Sequence, residues 1–350
     1  MSIFHSLTVS AVDQLTPNSV AITFIVPENI KDAYTYSPGQ YITIKHMVAG
    51  QELRRAYSIS SAPSSNKLTV GIKKVDDGTF SVYANTELKV GDVLEVMIPE
   101  GRFIFKPSGT PKNIAAFAAG SGITPIMSIA KTVLEDNDAS TFVLVYGNKS
   151  PEETMFYSEI QELSKKYTNR FFVKYVFSRA QEENALFGRI ETSSVNYILK
   201  NQFKETSFDA FYLCGPEEMI ELVSDTLKSS GISEDKIHFE LFTTPEESED
   251  LLAEELEGKT QVEVVLDDES FHFTMDKKKL VLDAVLKENI DAPYSCQGGV
   301  CSSCIARVVE GKAEMVQNQI LTDGEIAEGL ILTCQAHPTT SKLKLDYDDV

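Results

Sequence analysis

Four of the five cysteines in this chain form one pattern near its C-terminal end. Cys296, Cys301 and Cys304 lie within nine residues, and Cys334 follows after 29 intervening residues. This is the plant-type spacing of the thiolates that hold a [2Fe–2S] cluster. Two glycines between the first two cysteines let the backbone wrap closely around such a cluster. The pattern therefore predicts a one-electron redox centre with these four cysteines as its metal ligands.

A structural zinc site and a set of unrelated thiols are the alternatives to a cluster. Structural zinc usually takes its cysteines from two paired knuckles. Here only Cys301 and Cys304 form such a pair, and Cys296 precedes them with four residues between. The spacing therefore favours the cluster. The fifth cysteine, Cys214, has no obvious disulfide partner, and this use of cysteine indicates a reducing compartment.

A second set of candidate residues lies in two short segments of the first hundred positions. Residues 55–58 read Arg-Ala-Tyr-Ser at the end of a predicted strand, and residues 78–81 read Gly-Thr-Phe-Ser. A cation, an aromatic ring and a glycine-led turn with free backbone amides together suit a dinucleotide, with its pyrophosphate and its stacked ring. Each segment taken alone is also typical of an ordinary strand surface or turn. The candidates are Arg55, Tyr57, Ser58, Gly78, Phe80 and Ser81.

A glycine loop follows the first predicted strand of the middle third. Residues 120–125 read Gly-Ser-Gly-Ile-Thr-Pro and open a predicted helix. A phosphate suits this position because glycines allow close approach and the helix N-terminus is partially positive. The third glycine of the usual dinucleotide fingerprint is missing, so an ordinary strand–helix turn is the alternative. The candidates are Gly120, Gly122, Thr124 and Pro125.

Two further segments end predicted strands of the same region. Ser178 and Arg179 offer a hydroxyl and a guanidinium that suit a 2′-phosphate, although an exposed loop arginine is the alternative. The segment 214–216, Cys-Gly-Pro, ends another strand. Parallel strands place ligands at their carboxyl ends, so this turn is expected beside the crevice of the glycine loop. A buried small side chain is the alternative for Cys214.

The composition limits the kinds of protein that this chain can be. At 350 residues and 42% hydrophobic content, it suits two or three globular domains. A net charge of −20 argues against nucleic acid, whose phosphates it would repel. The charge fits a partner with a basic surface, or simple solubility. The lack of an apolar run that could span a bilayer, and of a signal-peptide pattern, predicts a cytoplasmic protein.

The elements that must position these residues fall into three predicted domains. Residues 1–108 contain short apolar runs separated by turn residues, which is typical of a small antiparallel barrel. Residues 109–245 alternate apolar strands with helical spacing, which predicts a parallel α/β domain. The helices of this domain are predicted over 125–136, 152–167 and 216–230. Its strands are predicted at Ile114–Ala119, Thr141–Tyr146, Phe171–Phe177 and Phe208–Leu213.

The last third begins with an acidic segment. Residues 246–257 contain seven acidic side chains among twelve, so an exposed linker is predicted over 246–258, with a docking surface as the alternative. Residues 259–350 form a small mixed domain, with a helix predicted over 280–289. The sequence Thr-Asp-Gly-Glu at 322–325 is a capping box that opens a short helix before Cys334.

Taken together and in this order, the motifs resemble the ferredoxin–NADP reductase superfamily with a fused plant-type ferredoxin. Within it, the chain resembles the reductase subunits of phenylacetyl-CoA oxygenase (epoxidase) systems, over essentially its whole length. The resemblance implies an antiparallel β-barrel flavin domain, a parallel-sheet α/β nucleotide domain and a β-grasp ferredoxin domain. It also implies FAD, a [2Fe–2S] cluster and NADPH.

The resemblance also implies roles for single residues on the flavin side. Arg55 would contact the FAD pyrophosphate, Tyr57 would stack on the isoalloxazine, and Ser58 would lie near flavin N5. Gly78, Phe80 and Ser81 match the second flavin motif. Phthalate-type reductases, which also carry a C-terminal ferredoxin, bind FMN instead.

On the nucleotide side, the glycine loop matches the nicotinamide-nucleotide loop, and Ser178 with Arg179 resembles a 2′-phosphate site that favours NADPH over NADH. Cys214, Gly215 and Pro216 match the segment that guides the nicotinamide. Glu240 and Phe242 match the acidic–aromatic end that packs by the flavin, although plant reductases carry a terminal tyrosine where Phe242 stands. Ser58, Cys214 and Glu240 are the expected catalytic residues.

The implied activity is hydride transfer from NADPH to the flavin, followed by one-electron delivery through the cluster. The implied partner is an oxygenase, with the di-iron component that acts on phenylacetyl-CoA as the first choice. Another hydroxylase or a hybrid-cluster protein is the alternative acceptor. A non-catalytic redox or metal sensor is the alternative from a different class. The intact motifs at Arg55 and Gly120 argue against a sensor, which needs neither hydride donor nor flavin.

Overall fold

The computed structural model describes residues 4–48, 51–76, 78–242 and 256–350. These residues form two compact units. The first unit comprises His5–Leu53 and Tyr57–Phe242, and the second comprises the C-terminal part of the chain with Arg54–Ala56. The acidic linker predicted over 246–258 falls almost entirely outside the described residues. In the described part of the chain, no helix is long and apolar enough to cross a membrane.

The N-terminal region is a closed antiparallel barrel of six strands, as the sequence predicts. The strand order is β4-β3-β6-β1-β2-β5, and an antiparallel bridge between Ile59 and Val70 joins the two outer strands. Alternate side chains such as Ile22, Ile42 and Ile72 point inward and are fully buried. The strands are β1 (Phe4–Thr16), β2 (Ser19–Ile25), β3 (Tyr41–Val48), β4 (Gln51–Ser58), β5 (Leu68–Lys73) and β6 (Val93–Met97).

A short helix, α1 (Thr79–Thr86), lies between β5 and β6 where the sequence predicts only a glycine-led turn. Gly78 directly precedes its first turn, so the amides expected from a turn belong to a helix N-terminus instead. Phe80 and Ala84, four residues apart, face the barrel and are buried. The helix forms because this spacing gives an eight-residue segment one apolar face, a signal too short to detect from periodicity.

The middle region is a parallel six-stranded sheet of order β10-β9-β8-β7-β11-β12. The order reverses at β7, and ligands of open α/β sheets bind beyond the strand carboxyl ends at such a point. The strands are β7 (Asn113–Ala119), β8 (Thr141–Asn148), β9 (Phe171–Phe177), β10 (Leu186–Phe187), β11 (Ala210–Gly215) and β12 (Ile237–Leu241). The helices are α2 (Ile123–Asp136), α3 (Tyr157–Lys166), α4 (Thr192–Asn196) and α5 (Glu217–Ser229).

Helix α3 is shorter than the predicted span of 152–167. A 3₁₀ turn at Pro151–Glu153 precedes it, and Phe156 has a left-handed backbone with φ of 59°. Met155 and Phe156 are buried in the core of the domain. Burial of these two side chains competes with helical continuity, so the helix begins only at Tyr157.

The C-terminal region is a β-grasp domain, a five-stranded mixed sheet of order β14-β13-β17-β15-β16 that packs against a helix. β13 and β17 pair in parallel, and the other pairs are antiparallel. The Thr322 capping box that the sequence predicts is present. The elements are β13 (Lys259–Leu266), β14 (Glu269–Asp276), α6 (Val281–Lys287), β15 (Ile305–Met315), α7 (Asp323–Ala327), β16 (Leu330–Leu332) and β17 (Ala336–Asp346).

Candidate functional site

The four cysteines of the C-terminal pattern converge. Cys296, Cys301 and Cys304 lie in the loop between α6 and β15, and Cys334 follows β16. Cys296 is within hydrogen-bonding distance of Cys301 and Cys334, and Cys334 is within that distance of Cys304. Cys301, Cys304 and Cys334 are buried, and Cys296 is partly exposed. Four thiols from two separate segments thus lie close together.

The cysteine loop adopts its path because two of its residues have left-handed backbones. Gln297 has a φ of 56° and Gly299 a φ of 75°. This turn directs the Gly298 amide to the sulfur of Cys296, at 3.3 Å. Hydrogen bonds from Cys301 and Cys334, with help from this amide, lower the pKa of Cys296. This arrangement fits an iron–sulfur cluster, whose ligands are thiolates, because the thiols lie close together and a backbone amide donates to one of them.

A second group of candidates lies at the end of β4. The rings of Tyr57 and Phe80 are 5.7 Å apart, so α1 and β4 present two aromatic side chains together. His46 stacks on Tyr83 at 4.4 Å and meets Phe80 edge-on at 5.7 Å. These two residues were missed because neither forms a local motif with Tyr57. The result is an aromatic cluster that suits a planar ring such as a flavin.

The remaining predicted residues of the two flavin segments lie close to this aromatic cluster in the chain. Arg55, on β4, donates a hydrogen bond of 2.7 Å from its guanidinium to the carbonyl of Arg54. Ser81 is buried in α1, and its hydroxyl accepts a hydrogen bond of 3.2 Å from the amide of Val75. Gly78 packs against Ser81 and Val75, where a side chain would collide with the Ser81 hydroxyl.

Ser58, Cys214 and Glu240 come from three strands and meet in space. Cys214 on β11 pairs with Glu240 on β12, and the Ser58 hydroxyl donates to the Glu240 carboxylate at 3.4 Å. Burial raises the pKa of Glu240 to about 8, and the Ser58 hydrogen bond opposes that shift. Burial, followed by Glu240, raises the pKa of Cys214 well above its usual value. At neutral pH the Glu240 carboxyl therefore retains its proton and can donate it. The neighbouring Cys214 thiol is uncharged as well.

The glycine loop after β7 packs directly on the turn after β11. A side chain on Gly122 would collide with the carbonyl of Cys214 and lie 2.9 Å from the Gly215 amide. Gly120 has a φ of 54°, and its carbonyl accepts a hydrogen bond of 2.9 Å from the hydroxyl of Tyr146. The glycines are therefore needed for close packing as well as for ligand approach. Thr124 and Pro125 lie buried in the first turn of α2, and Pro216 directly precedes α5.

A cavity of about 650 Å³ opens at this edge of the sheet. Gly120, Ser178, Arg179 and Pro216 contribute to its lining, so the structure brings together predicted residues from three separate segments. Three cations that sequence reasoning missed also line it: Lys73, Lys149 and Arg189. Burial, followed by Lys149, lowers the pKa of Lys73. Four cations and two acids, Glu191 and Glu218, leave the lining with net positive charge, which matches a phosphorylated ligand in a chain whose net charge is −20.

The arginines of this cavity follow adjacent strands. Phe177 at the end of β9 pairs with Phe187 at the end of β10. Arg179 lies two residues beyond Phe177, and Arg189 lies two residues beyond Phe187. The amide of Arg179 donates to the carbonyl of Lys149, at 2.9 Å, and the amide of Gly188 donates to Phe177, at 2.8 Å. Among the described residues, no acid forms an ion pair with either arginine. The pairing of β9 with β10 therefore brings both arginines to the lining of the same cavity.

Comparison with known proteins identifies the family. Residues 6–105 match the oxidoreductase FAD-binding domain, residues 117–225 the oxidoreductase NAD-binding domain, and residues 264–339 the 2Fe-2S iron-sulfur cluster binding domain. The chain is 36% identical to a subunit of the 1,2-phenylacetyl-CoA epoxidase of Escherichia coli (strain K12), over 99% of both proteins. The chain belongs to the ferredoxin-reductase-type oxidoreductases.

Two further relatives agree with this assignment. The reductase is 33% identical to the ferredoxin reductase component of 3-ketosteroid-9-alpha-monooxygenase from Rhodococcus rhodochrous, over 97% of this chain and 96% of that protein. Its fold matches a solved structure of phthalate dioxygenase reductase with a TM-score of 0.62, at 22% identity and over 98% of both chains. The predicted family, fold class and three types of cofactor-binding domain are confirmed.

Proposed function

We propose that this reductase takes electrons from NADPH and delivers them, through FAD and a [2Fe–2S] cluster, to an oxygenase component. The observation that carries the proposal is the pair of arginines beyond β9 and β10, in a cavity lined by the Gly120 loop. When bound, the flavin and the cluster together supply the conversion of a two-electron donor into single-electron delivery. The protein's own residues bind, orient and shield the reacting groups.

The flavin is assigned to the barrel. Arg55 and the N-terminal amides of α1 hold its pyrophosphate, and Tyr57 stacks on its ring. α1 provides a suitable anion site because its first amides have no helical partner and its N-terminus is partially positive. Ser58, whose hydroxyl donates to Glu240, would lie with Glu240 at the reacting edge, where the Glu240 carboxyl would hold a proton near neutral pH. Phe242, which follows β12 and is 37% exposed, would cover the outer side of the ring.

The nicotinamide nucleotide is assigned to the cavity at the carboxyl edge of the parallel sheet. Gly120, Gly122 and the first turn of α2 face its pyrophosphate, and the segment 214–216 guides the nicotinamide. Ser178, Arg179 and Arg189 hold the 2′-phosphate of NADPH. Two guanidiniums suit a phosphate dianion because each presents donors in a planar fork. NADH lacks this phosphate and would leave both arginines without their ligand.

The cluster is assigned to Cys296, Cys301, Cys304 and Cys334. The acceptor proposed is the oxygenase component of a phenylacetyl-CoA epoxidase, because the relative with 36% identity is named as a subunit of that enzyme. A 3-ketosteroid monooxygenase is the second candidate, supported by the relative with 33% identity. A more distant relative, 26% identical over 95% of this chain, is named NADH oxidoreductase HCR. That name makes NADH the competing electron donor.

The first test is an anaerobic visible spectrum of the purified protein, titrated separately with NADPH and NADH. We expect flavin and iron–sulfur bands that bleach rapidly with NADPH and at least tenfold more slowly with NADH. A faster reaction with NADH would remove the 2′-phosphate assignment and leave the reductase intact. A purified phenylacetyl-CoA epoxidase oxygenase component and a 3-ketosteroid oxygenase component, each added to the reduced protein, then discriminate between the acceptors by their turnover.

A further inference from the structure

A chain of hydroxyl groups runs from the C-terminal end of the protein to the loop that carries Cys304. The hydroxyl of Tyr347 donates to the hydroxyl oxygen of Thr333 at 3.0 Å, and the Thr333 hydroxyl donates to the carbonyl of Cys304 at 2.9 Å. The same carbonyl accepts the Thr333 amide at 3.1 Å. Thr333 is fully buried and Tyr347 is 5% exposed. This chain links Tyr347, 13 positions beyond Cys334, to the backbone of Cys304.

Tyr347 is held firmly in this position by the backbone around it. Its amide donates to the carbonyl of Val265 at 3.0 Å, just beyond the pairing of β17 with β13. The carboxylate of Asp348 accepts the amides of Asp267 and Asp268, each at 2.9 Å. Both aspartates have left-handed backbones in the turn between β13 and β14. The turn and the last strand therefore fix the backbone of Tyr347, and its ring is buried in the domain core with its hydroxyl donating to Thr333.

The hydroxyl chain has an electrostatic consequence for a cluster bound by Cys304. Hydrogen bonds strengthen one another in series, so the Tyr347 donor makes Thr333 a stronger donor to the Cys304 carbonyl. A carbonyl whose oxygen is hydrogen-bonded presents less negative charge to its surroundings. The cluster gains negative charge on reduction, and its potential depends on the hydrogen bonds and burial around its ligands. The hydroxyl chain thus favours the reduced form.

We propose that Tyr347 is a positioning residue for the iron–sulfur cluster, which acts through Thr333 on Cys304 and raises the reduction potential of the cluster. The inference rests on the cluster of the proposed function and adds a residue outside the four-cysteine motif. In this proposal Tyr347 contacts neither a substrate nor an acceptor. Its effect is on the ease with which the cluster accepts an electron.

The test measures the midpoint potential of the cluster in the complete, cofactor-loaded protein by anaerobic spectroelectrochemistry, together with the electron paramagnetic resonance spectrum of the reduced state. Tyr347→Phe removes only the hydroxyl. Thr333→Val removes the second hydroxyl at nearly constant volume, and Thr333→Ser retains it. Tyr34→Phe is the matched control, because it removes another buried tyrosine hydroxyl, whose partner is the carbonyl of Val96 in the barrel.

We expect Tyr347→Phe to lower the ratio of reduced to oxidised cluster at least threefold at the wild-type midpoint. For a one-electron couple this is a shift of about 28 mV to more negative potential, at 59 mV for each tenfold change. Thr333→Val should shift the potential in the same direction, and Thr333→Ser and Tyr34→Phe should match the wild type. Loss of the cluster from Tyr347→Phe, with its flavin retained, would show a structural role for the hydroxyl and would overturn the assignment of an effect on potential.

If Tyr347→Phe and Thr333→Val both have the potential and the resonance spectrum of the wild type, the assignment is overturned. The proposed function would still stand. An equal shift in Tyr34→Phe would overturn it too, because the effect would then follow from any lost tyrosine hydroxyl. A wild-type protein that contains no iron–sulfur bands would remove the proposed function, and this inference with it.

Discussion

The carboxylate of Glu240 accepts a hydrogen bond of 3.4 Å from the hydroxyl of Ser58, a residue 182 positions earlier in the chain. The barrel contributes the hydroxyl, and the last strand of the parallel sheet contributes the carboxylate. Cys214 pairs with Glu240 on the neighbouring strand. A carboxyl enclosed in this way keeps its proton near neutral pH, because little water remains to stabilise its charge.

The enclosure of Glu240 predicts a pH-dependent stability. In the unfolded chain this carboxyl loses its proton near pH 4.5, and in the folded chain only near pH 8. Between these values the unfolded state binds fewer protons, so this group makes folding less favourable as the pH rises. We expect Glu240→Gln to exceed the wild type in stability by on the order of 4 kcal/mol at pH 8. The gain should vanish towards pH 4.5.

Urea unfolding of the flavin-loaded protein between pH 4.5 and 8.5, followed by flavin fluorescence, measures this difference. Glu182→Gln, in an exposed loop, controls for the loss of a negative charge. A stability difference that stays constant across the range would show that Glu240 titrates alike in both states.

The paired arginines predict a change in cofactor preference. Arg179→Ala and Arg189→Ala should each lower kcat/KM for NADPH by roughly tenfold to a hundredfold, the value of one charge-assisted interaction. The kcat/KM for NADH should change less than threefold, because NADH has no 2′-phosphate. Steady-state reduction of a dye acceptor provides the measurement. Lys165→Ala, a cation on α3, is the matched control. Equal losses with both nucleotides would contradict a 2′-phosphate role.

The contact between Gly122 and the Cys214 carbonyl predicts a steric effect. Gly122 has an ordinary helical backbone with φ of −60°, so alanine there meets no dihedral penalty and only the collision remains. We expect Gly122→Ala to destabilise the protein by about 2–3 kcal/mol, which is typical of overpacking, and to weaken nucleotide binding. Thermal unfolding and NADPH titration measure the two effects. Gly324→Ala, whose Cβ has no atom closer than 3.9 Å, should be neutral. A neutral Gly122→Ala would mean that the loop can shift away.

In the proposed electron path the cluster follows the flavin. Loss of the cluster should therefore abolish electron delivery to an acceptor and leave flavin reduction intact. Cys304→Ser should lose the cluster and at least 95% of electron delivery to an oxygenase acceptor, because one of four thiolate ligands is missing. Reduction of the flavin by NADPH should remain within twofold of the wild type, since Tyr57, Ser58 and Glu240 lie in the other compact unit. Stopped-flow flavin bleaching and acceptor turnover, measured on the same preparation, compare the two. Unchanged acceptor turnover would remove the cluster from the path.

Local sequence patterns predicted those residues whose chemistry depends on near neighbours in the chain. Cys296, Cys301 and Cys304 are close because one loop carries them, and the spacing alone identified their role. The Gly120 loop was identifiable because a glycine-rich turn between a strand and a helix has few other uses. The β-barrel, the parallel sheet and the final mixed domain followed from the period of apolar residues, which reports directly which face of each element is buried.

Residues whose chemistry depends on distant neighbours were found only in the structure. Arg189 stands in an unremarkable loop sequence, and only the pairing of β10 with β9 brings it to the cavity that Arg179 also lines. Lys73 ends a barrel strand, and only the packing of the barrel on the parallel sheet, within one compact unit, brings it to the nucleotide cavity. Helix α1 was missed because eight residues carry too little periodicity to distinguish a helix from a turn.

The sequence by itself therefore determined the classes of cofactor-binding domain and their order, and it predicted the four cluster ligands, because each depends on spacing within a short segment. Tertiary structure decided the electrostatics: the raised pKa of Glu240, the cationic cavity and the hydroxyl chain from Tyr347 to Cys304. These depend on how far water is excluded and which strands pair, and long-range pairing is a property of the whole fold rather than of any local pattern.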